Sequence, residues 1–342
     1  MLLHSLEKNY GHKVARVSIQ DPIFDWNTTD MVIIRSAWDK YNYFDEYVRF
    51  LDMIAASKIL LNPRKLLAWH SNKADYLMDL QNAGIHLPPT AIFDPWIGGF
   101  PSLKEIMDAW ECDRLVLKPE SGNAGAGIRL VDRYETHKYD ALFEELADLA
   151  EEDAEDEEEF DDNRYLDEDE EPEKYVVQCF QYQIQTKGER SLIIIGGKAT
   201  HAVLKEPAQN QFLVHEGFGG TTTLYEPTQE EIYFAMKVHN AVKFIVGETP
   251  AYLRVDMIYD NDDELALMEL AAGTAQLWLT KNPPAADVFA EYVDGVLRKS
   301  RLQKSISFSS SLPMEGEETC AASNSTATTA PMKPATTSYE SA

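Results

Sequence analysis

Arg114–Asp132, RLVLKPESGNAGAGIRLVD, reads as two short strands joined by a glycine-rich loop. Leu115, Val116 and Leu117 form an apolar run that Lys118 ends, and Ile128, Leu130 and Val131 begin the next. Between them Ser121, Gly122, Asn123, Ala124, Gly125, Ala126 and Gly127 carry almost no side-chain bulk. Such a loop lets the backbone approach a ligand closely and aims N–H groups at an anion. It is not a Walker A loop, because the lysine precedes the glycines and a strand, not a helix, follows. Taken alone, the stretch is equally a hairpin with an ordinary surface lysine.

The 342 residues are enough for a large core and two or three domains. A hydrophobic content of 44% and six tryptophans fit a globular protein. The net charge of −27 argues against a nucleic-acid or anionic-membrane partner. Most of that charge is local: residues 144–174 hold 19 acidic and two basic side chains, net −17, which leaves −10 for the rest of the chain. Cys112, Cys179 and Cys320 are scattered and form no CxxC pair, which points to a reduced, cytoplasmic compartment. No signal-peptide core and no bilayer-length apolar run is present.

Residues 1–62 read as a small α/β unit: a helix over Leu2–Tyr10, strands over Val14–Ile19 and Met31–Ile34, and a helix over Phe44–Ala56. The helix that opens the chain has no strand before it, so either the fold tolerates this or the N-terminus is incomplete. Arg35 leaves the carboxyl end of a buried strand, where open α/β sheets bind ligands, or it pairs with Asp39 and caps the turn. Ala68–Ala83 reads as an amphipathic helix starting near Ser71, with Lys73 in its first turn. A cation there opposes the helix dipole unless it serves an anion.

A strand is expected over Thr90–Phe93 and a helix over Leu103–Ala109. The acidic stretch at about 148–173 reads as a solvated, disordered insert, helical at most through Leu149. Strands follow at Tyr175–Phe180, Ser191–Ile195 and Ala199–Lys205, then a glycine-containing loop around Gly217–Gly220 and a helix over Glu230–Phe244. Tyr252–Tyr259 and Leu265–Leu270 read as an antiparallel pair, Asp287–Arg298 as the last helix, and residues 301–342 as a disordered Ser/Thr-rich tail. On that pair Asp256 and Glu269 alternate with apolar neighbours, so both can project from one face. Two hard carboxylates with lysines elsewhere suit Mg²⁺ on nucleotide phosphates. The eight histidines show no HxxH or HxxxH spacing for zinc, and no GxSxG motif occurs.

The ordered set VIIRSAWD, LAWHSNKADYL, LVLKPESGNAGAG, VVQCFQYQI with GERSL, THAVLKEP, and YLRVDMIYD with LALMEL resembles the ATP-grasp superfamily of carboxylate–amine ligases. It looks closest to the glutathione-synthetase-like branch that includes cycloserine-forming ligases. The resemblance spans Val14–Arg298 apart from the acidic insert. It implies an α/β fold of α+β lobes: a shortened N-terminal pre-ATP-grasp unit over residues 1–66 and an ATP-grasp domain over 67–300. It also implies a Mg-ATP-dependent ligase that activates a carboxylate as an acyl phosphate for attack by an amine, with amino-acid-like substrates. Members of the superfamily are often dimers or tetramers, so the resemblance leaves room for a homo-oligomer, while the sequence itself fixes no oligomeric state.

The roles implied for matching residues are specific. Lys73 and Lys118 would hold the ATP α- and β-phosphates, and the loop with Ser121, Gly122, Gly125 and Gly127 would close over the triphosphate. Gln178, Cys179 and Phe180 would be the hinge that reads adenine, and Glu189 would take the ribose hydroxyls. Lys205 would meet the γ-phosphate and Arg254 the developing acyl phosphate, with Asp256 and Glu269 carrying Mg²⁺. Arg35 and the loop at Gly217–Gly220 are candidates for substrate contact. The family's third metal ligand, two residues after Glu269, is Ala271 here, and alanine cannot ligate a metal. Two other readings therefore stay open: a non-catalytic nucleotide-binding protein, and a kinase that transfers phosphate without ligation.

Overall fold

The alternation around Lys118 becomes part of a four-stranded antiparallel sheet in the computed structural model, which describes residues 1–121, 125–156 and 172–310. In chain order its elements are α1 (Leu2–Tyr10), β1 (Met31–Ile33), α2 (Phe44–Ser57), β2 (Ile59–Leu61), α3 (Arg64–Trp69), α4 (Lys73–Asn82), β3 (Thr90–Phe93), α5 (Leu103–Ala109), β4 (Arg114–Pro119) and β5 (Arg129–Asp132). Then follow α6 (Thr136–Asp156), β6 (Tyr175–Cys179), α7 (Ile184–Lys187), β7 (Glu189–Ile195), β8 (Lys198–Glu206), β9 (Thr221–Tyr225), α8 (Gln229–Val246), β10 (Tyr252–Tyr259), β11 (Leu265–Ala271) and α9 (Pro283–Ser310).

The strands make three sheets. β1 and β2 pair in parallel, β3–β6–β4–β5 form the four-stranded sheet, and β11–β10–β7–β8–β9 form a five-stranded antiparallel one. Leu115, Leu117, Val177 and Cys179 turn one face of the four-stranded sheet onto α5 and α6. That face is apolar because alternate residues of a strand share a side. In the five-stranded sheet, Leu192, Ile194, Leu253, Val255, Met257 and Leu270 bury one face under α4 and α8. Helix α8 starts at a capping box: the Thr228 hydroxyl accepts from the Glu231 amide (3.2 Å) and the Glu231 carboxylate accepts from the Thr228 amide (2.8 Å).

The opposite face of that sheet changes character along its strands. At one end Ile193, Ile195, Val203 and Tyr252 pack under Phe289 and Val293 of α9. At the other end the same face carries Glu189, Ser191, Lys205, Arg254, Asp256 and Glu269. The N-terminal unit docks through Asn62, which is fully buried. Its amide nitrogen donates to the carbonyls of Tyr252 (2.8 Å) and Ala272 (2.7 Å), and its amide oxygen accepts from the amides of Ala251 (2.6 Å) and Tyr252 (3.1 Å).

Four expectations change. Val14–Ile19 is not a strand: β1 and β2 form a two-stranded sheet and offer this segment no ladder, although Val14 and Ile19 still lean on the core. The helix expected over Ala68–Ala83 is two helices, because the Asn72 side chain accepts the Asp75 amide (2.7 Å) and starts a new helix at Lys73. Helix α6 runs past Leu149 to Asp156, since Phe143, Leu146 and Ala150 bury a stripe against the four-stranded lobe. Helix α9 begins at Pro283 and runs to Ser310, well into the stretch read as tail; proline suits a first helical position. Gly122, Cys320, the acidic run at 157–171 and the tail beyond 310 lie outside the described residues. Met1–Arg298 forms one unit, and residues 299–342 are assigned to a second. Among the described residues no helix is long and apolar enough to cross a membrane.

Candidate nucleotide site

Period-two alternation delivers the polar end of the five-stranded face as a connected patch. Arg254 and Asp256 are two apart on β10; Ser191 pairs with Asp256 across to β7, and Glu269 pairs with it across to β11. Glu189 pairs with Lys205 on β8, and Lys205 with Thr222 on β9. Gly188, at the start of β7, has φ +68, and a Cβ there would sit 2.5 Å from the Lys205 carbonyl oxygen. Only glycine allows that approach.

A cavity of about 470 Å³ lies over this patch, the size of an ordinary small-molecule site. Its wall contains Lys73, Lys118, Gly125, Gln178, Cys179, Phe180, Glu189, Lys205, Arg254 and Glu269. Ser121 is not in the wall; its hydroxyl donates to Glu173 (2.7 Å). Gly127 stands behind the loop against Pro119, and Asp256 lies beneath the floor, fully buried. The main-chain amides of Cys179 and Phe180 donate to the carbonyls of Pro89 (3.1 Å) and Arg114 (3.0 Å). Both N–H groups are therefore already paired; Gln181, the next residue, is also in the wall.

Lys118 reaches the cavity from the four-stranded lobe. Its ammonium donates to the side-chain carbonyl of Gln178 (2.6 Å), whose amide nitrogen donates to the Thr90 hydroxyl (2.9 Å). Burial, reinforced by Lys73, lowers the Lys118 pKa to about 8. Among the described residues it makes no salt bridge, and only the more distant Glu269 and Glu189 favour its charged form.

The opposite wall is arranged differently. Arg254 donates to both Asp256 oxygens (2.6–3.0 Å), Ser191 donates to one (2.6 Å) and Lys205 to the other (3.2 Å). Lys205 is also paired with Glu189. Burial opposes every one of these charges. Arg254 and Lys205 nevertheless hold the Asp256 carboxyl below its usual range, and Asp256 and Glu189 hold the Lys205 ammonium above its own. For Glu189 burial wins, and its pKa is raised.

This arrangement tests the expected metal. Both Asp256 oxygens are saturated by donors, and Ala271 offers none. Among the described residues no group of three His, Cys, Asp or Glu side chains is placed to hold an ion. Glu269 is half exposed, with one weak contact to Arg254 (3.5 Å). The donor set fits one Mg²⁺ carried in by phosphates and met by Glu269, as Mg²⁺ keeps much of its water. It does not fit a pair of ions.

Several wall residues escaped the sequence reading. Trp38, Thr222, Thr274, Gln276 and Trp278 line the cavity from loops and a strand end where no periodicity marks them. Ser191, buried beneath the wall on Asp256, had a signal: it lies two residues from Glu189, on the same face. Arg35 makes no ion pair with Asp39 among the described residues; its guanidinium lies over the Tyr252 ring (4.9 Å) and is not in the wall. The loop expected near Gly217–Gly220 does reach the cavity, through His215 and Glu216. It also meets the glycine-rich loop: a Cβ on Gly125, whose φ is +84, would lie 3.2 Å from Phe218 and 3.7 Å from Leu213.

Trp278 takes an unusual backbone conformation, φ 42, which costs about 1–3 kcal/mol, and among the described residues its buried indole nitrogen has no hydrogen-bond partner.

Two antiparallel lobes facing each other across a cation-lined cleft define the ATP-grasp fold, and this chain has it. Its N-terminal residues 1–62 match the family model for the N-terminal domain of D-cycloserine synthetase DcsG. The crystal structure of that synthetase aligns at a TM-score of 0.70 and 20% identity, covering 86% of this chain and 93% of the other. D-alanine–D-alanine ligase from Bacillus anthracis, complexed with ATP, aligns at 0.54 and 14%, covering 89% and 91%. A RiPP-associated ATP-grasp ligase from Chryseobacterium gregarium, in complex with ADP and leader and core peptides, aligns at 0.58 and 12%, covering 86% and 92%. The resemblance to the cycloserine-ligase-like branch thus rests on the N-terminal match and on the fold together. No curated protein matches the chain.

Proposed function

We propose that the chain is an ATP-dependent carboxylate–amine ligase with small, amino-acid-like substrates. The observation that carries this reading is the convergence of Lys73, Lys118, Lys205 and Arg254, from four different elements, on one cleft. When bound, ATP supplies the phosphoryl group that turns a carboxylate into an acyl phosphate, from which an amine displaces phosphate. Lys73 and Lys118 neutralise the α- and β-phosphates, and Lys205 neutralises the γ-phosphate. Arg254 faces the oxygens that gain charge during transfer, and Glu189 accepts from the ribose hydroxyls. One Mg²⁺, where present, is met by Glu269, and Asp256 joins it only by giving up Arg254. Positioning and charge neutralisation suffice for such chemistry, and no protein nucleophile is required.

The test is calorimetric titration of a non-hydrolysable ATP analogue, with and without Mg²⁺, on the wild type and Lys118→Ala, followed by screening carboxylate and amine pairs for ADP release. Binding that the variant loses supports the reading. No binding by the folded wild type overturns it. Ala271 and the occupied Asp256 favour a second reading, a nucleotide-binding protein without turnover. That reading stands if nucleotide binds equally well without Mg²⁺ and no pair releases ADP.

A further inference from the structure

We propose that Trp278 is a positioning residue whose indole ring holds the Lys205 ammonium and the Arg254 guanidinium against Asp256. Both cations lie over the ring, at 5.7 Å and 5.6 Å from its centre. Trp278 is 6% exposed and belongs to the cavity wall. Asp256 draws the two cations from one side, and the indole covers them from another with the negative face of a π-system. Covered in this way, the pairs on Asp256 are shielded from water, and their attraction is correspondingly stronger.

Two further observations separate this role from plain core filling. The φ of 42 is a conformation that bulky residues rarely adopt, and among the described residues the buried indole N–H has no acceptor. An aliphatic side chain on relaxed backbone would fill the same space without either cost. The turn that imposes the conformation is tied to the strands carrying the cations' neighbours. The Trp278 carbonyl accepts from the amides of Lys281 (2.9 Å) and Asn282 (3.1 Å). Lys281 Nζ donates to the carbonyl of Thr222 (3.0 Å), the register partner of Lys205, and His201 Nε2 on β8 bonds the Leu277 carbonyl (2.9 Å). The strands that place Lys205 therefore also place the ring over it. Glu189, Glu269, Ser191 and Thr222 lie on the same sheet face beside the two cations.

The test compares Trp278→Phe, which keeps a ring and drops the N–H, with Trp278→Leu, which drops both. Acetic anhydride labelling of the nucleotide-free protein, read lysine by lysine by peptide mass mapping, is the first measurement. Lys205 is expected to label roughly tenfold faster in Trp278→Leu, the size of a desolvated cation–π contact, with Lys73 and Lys118 unchanged and Trp278→Phe close to wild type. Equal Lys205 rates in Trp278→Leu and wild type overturn the proposal. So does a joint rise at all three lysines, which marks general loosening, or a Trp278→Phe rate matching that of Trp278→Leu. This arm needs no ligand, so it judges Trp278 even if the nucleotide reading fails. Where the wild type binds the ATP analogue, Trp278→Leu is expected to weaken it and Trp278→Phe to restore it.

Discussion

Asp256 stands directly opposite Glu269 across the β10–β11 ladder, and Arg254 touches both, at 2.6 Å and 3.5 Å through the same Nη2 atom. Like charges facing each other across a ladder repel. The Arg254 guanidinium, in contact with both, offsets that repulsion.

Arg254→Met therefore leaves two opposed carboxylates, one of them fully buried. It is expected to cost about 3–5 kcal/mol of stability in metal-free buffer and to recover part of that on adding Mg²⁺. Thermal melts with and without the ion check this. A wild type whose melting point rises with Mg²⁺ as much as the variant's would refute the idea that Arg254 offsets the repulsion.

Ala271→Asn restores an oxygen donor two residues after Glu269. Nucleotide binding should become more dependent on Mg²⁺ than in wild type, by roughly tenfold in the ratio of affinities with and without the ion. Titration calorimetry measures the ratio, and an unchanged ratio counts against the single-ion reading.

Lys118 carries a pKa lowered to about 8 by burial and by Lys73. A bound phosphate favours its charged form, so nucleotide affinity should be full below pH 8 and should fall as pH rises through that value. In Lys118→Ala the affinity is low and this part of the pH dependence is gone. A wild-type affinity that stays flat between pH 7 and 9 contradicts the assignment.

Lys40 is buried with its ammonium on the Ser71 hydroxyl (2.6 Å), between the rings of Tyr41 and Tyr47. Burial lowers its pKa from 10.5 to about 8. The unfolded chain thus binds more protons than the folded one between these values, and stability should rise as pH climbs from about 8 to 10.5. Lys40→Met removes that contribution. Urea melts across this range should show a shallower pH slope in the variant, and identical slopes would overturn the prediction.

Gly188→Ala places a methyl group against the Lys205 carbonyl on backbone that only glycine tolerates. The expected cost is about 1–3 kcal/mol, with nucleotide affinity reduced as β8 shifts. Chemical denaturation and titration on one sample check both effects.

Part of this site was legible because strands alternate: Asp256 and Glu269 stand between apolar neighbours on a strand pair, which turns both to one face. Lys118, Glu189, Lys205 and Arg254 were picked out by the resemblance of their surrounding motifs, not by period alone. The loop residues were not legible: Trp38, Gln276 and Trp278 come from segments whose course is set by tertiary contacts, with no period to read. The same limit explains Val14–Ile19, whose pattern suits a strand but which joins no ladder and packs on the core through Val14 and Ile19 instead. It explains α6 too, where an acidic composition concealed the apolar stripe of Phe143, Leu146 and Ala150.

One face of the five-stranded sheet serves as hydrophobic floor under α9 and, two residues further along the same strands, as the charged floor of the cleft. Ile193 pairs with Arg254, and Tyr252 precedes Arg254 by one alternation. A substitution that repacks Ile193 or Tyr252 moves a rigid strand, and with it the guanidinium. Core packing and the placement of the cleft's charges are in this way written into the same few residues, so a change in either carries the other along.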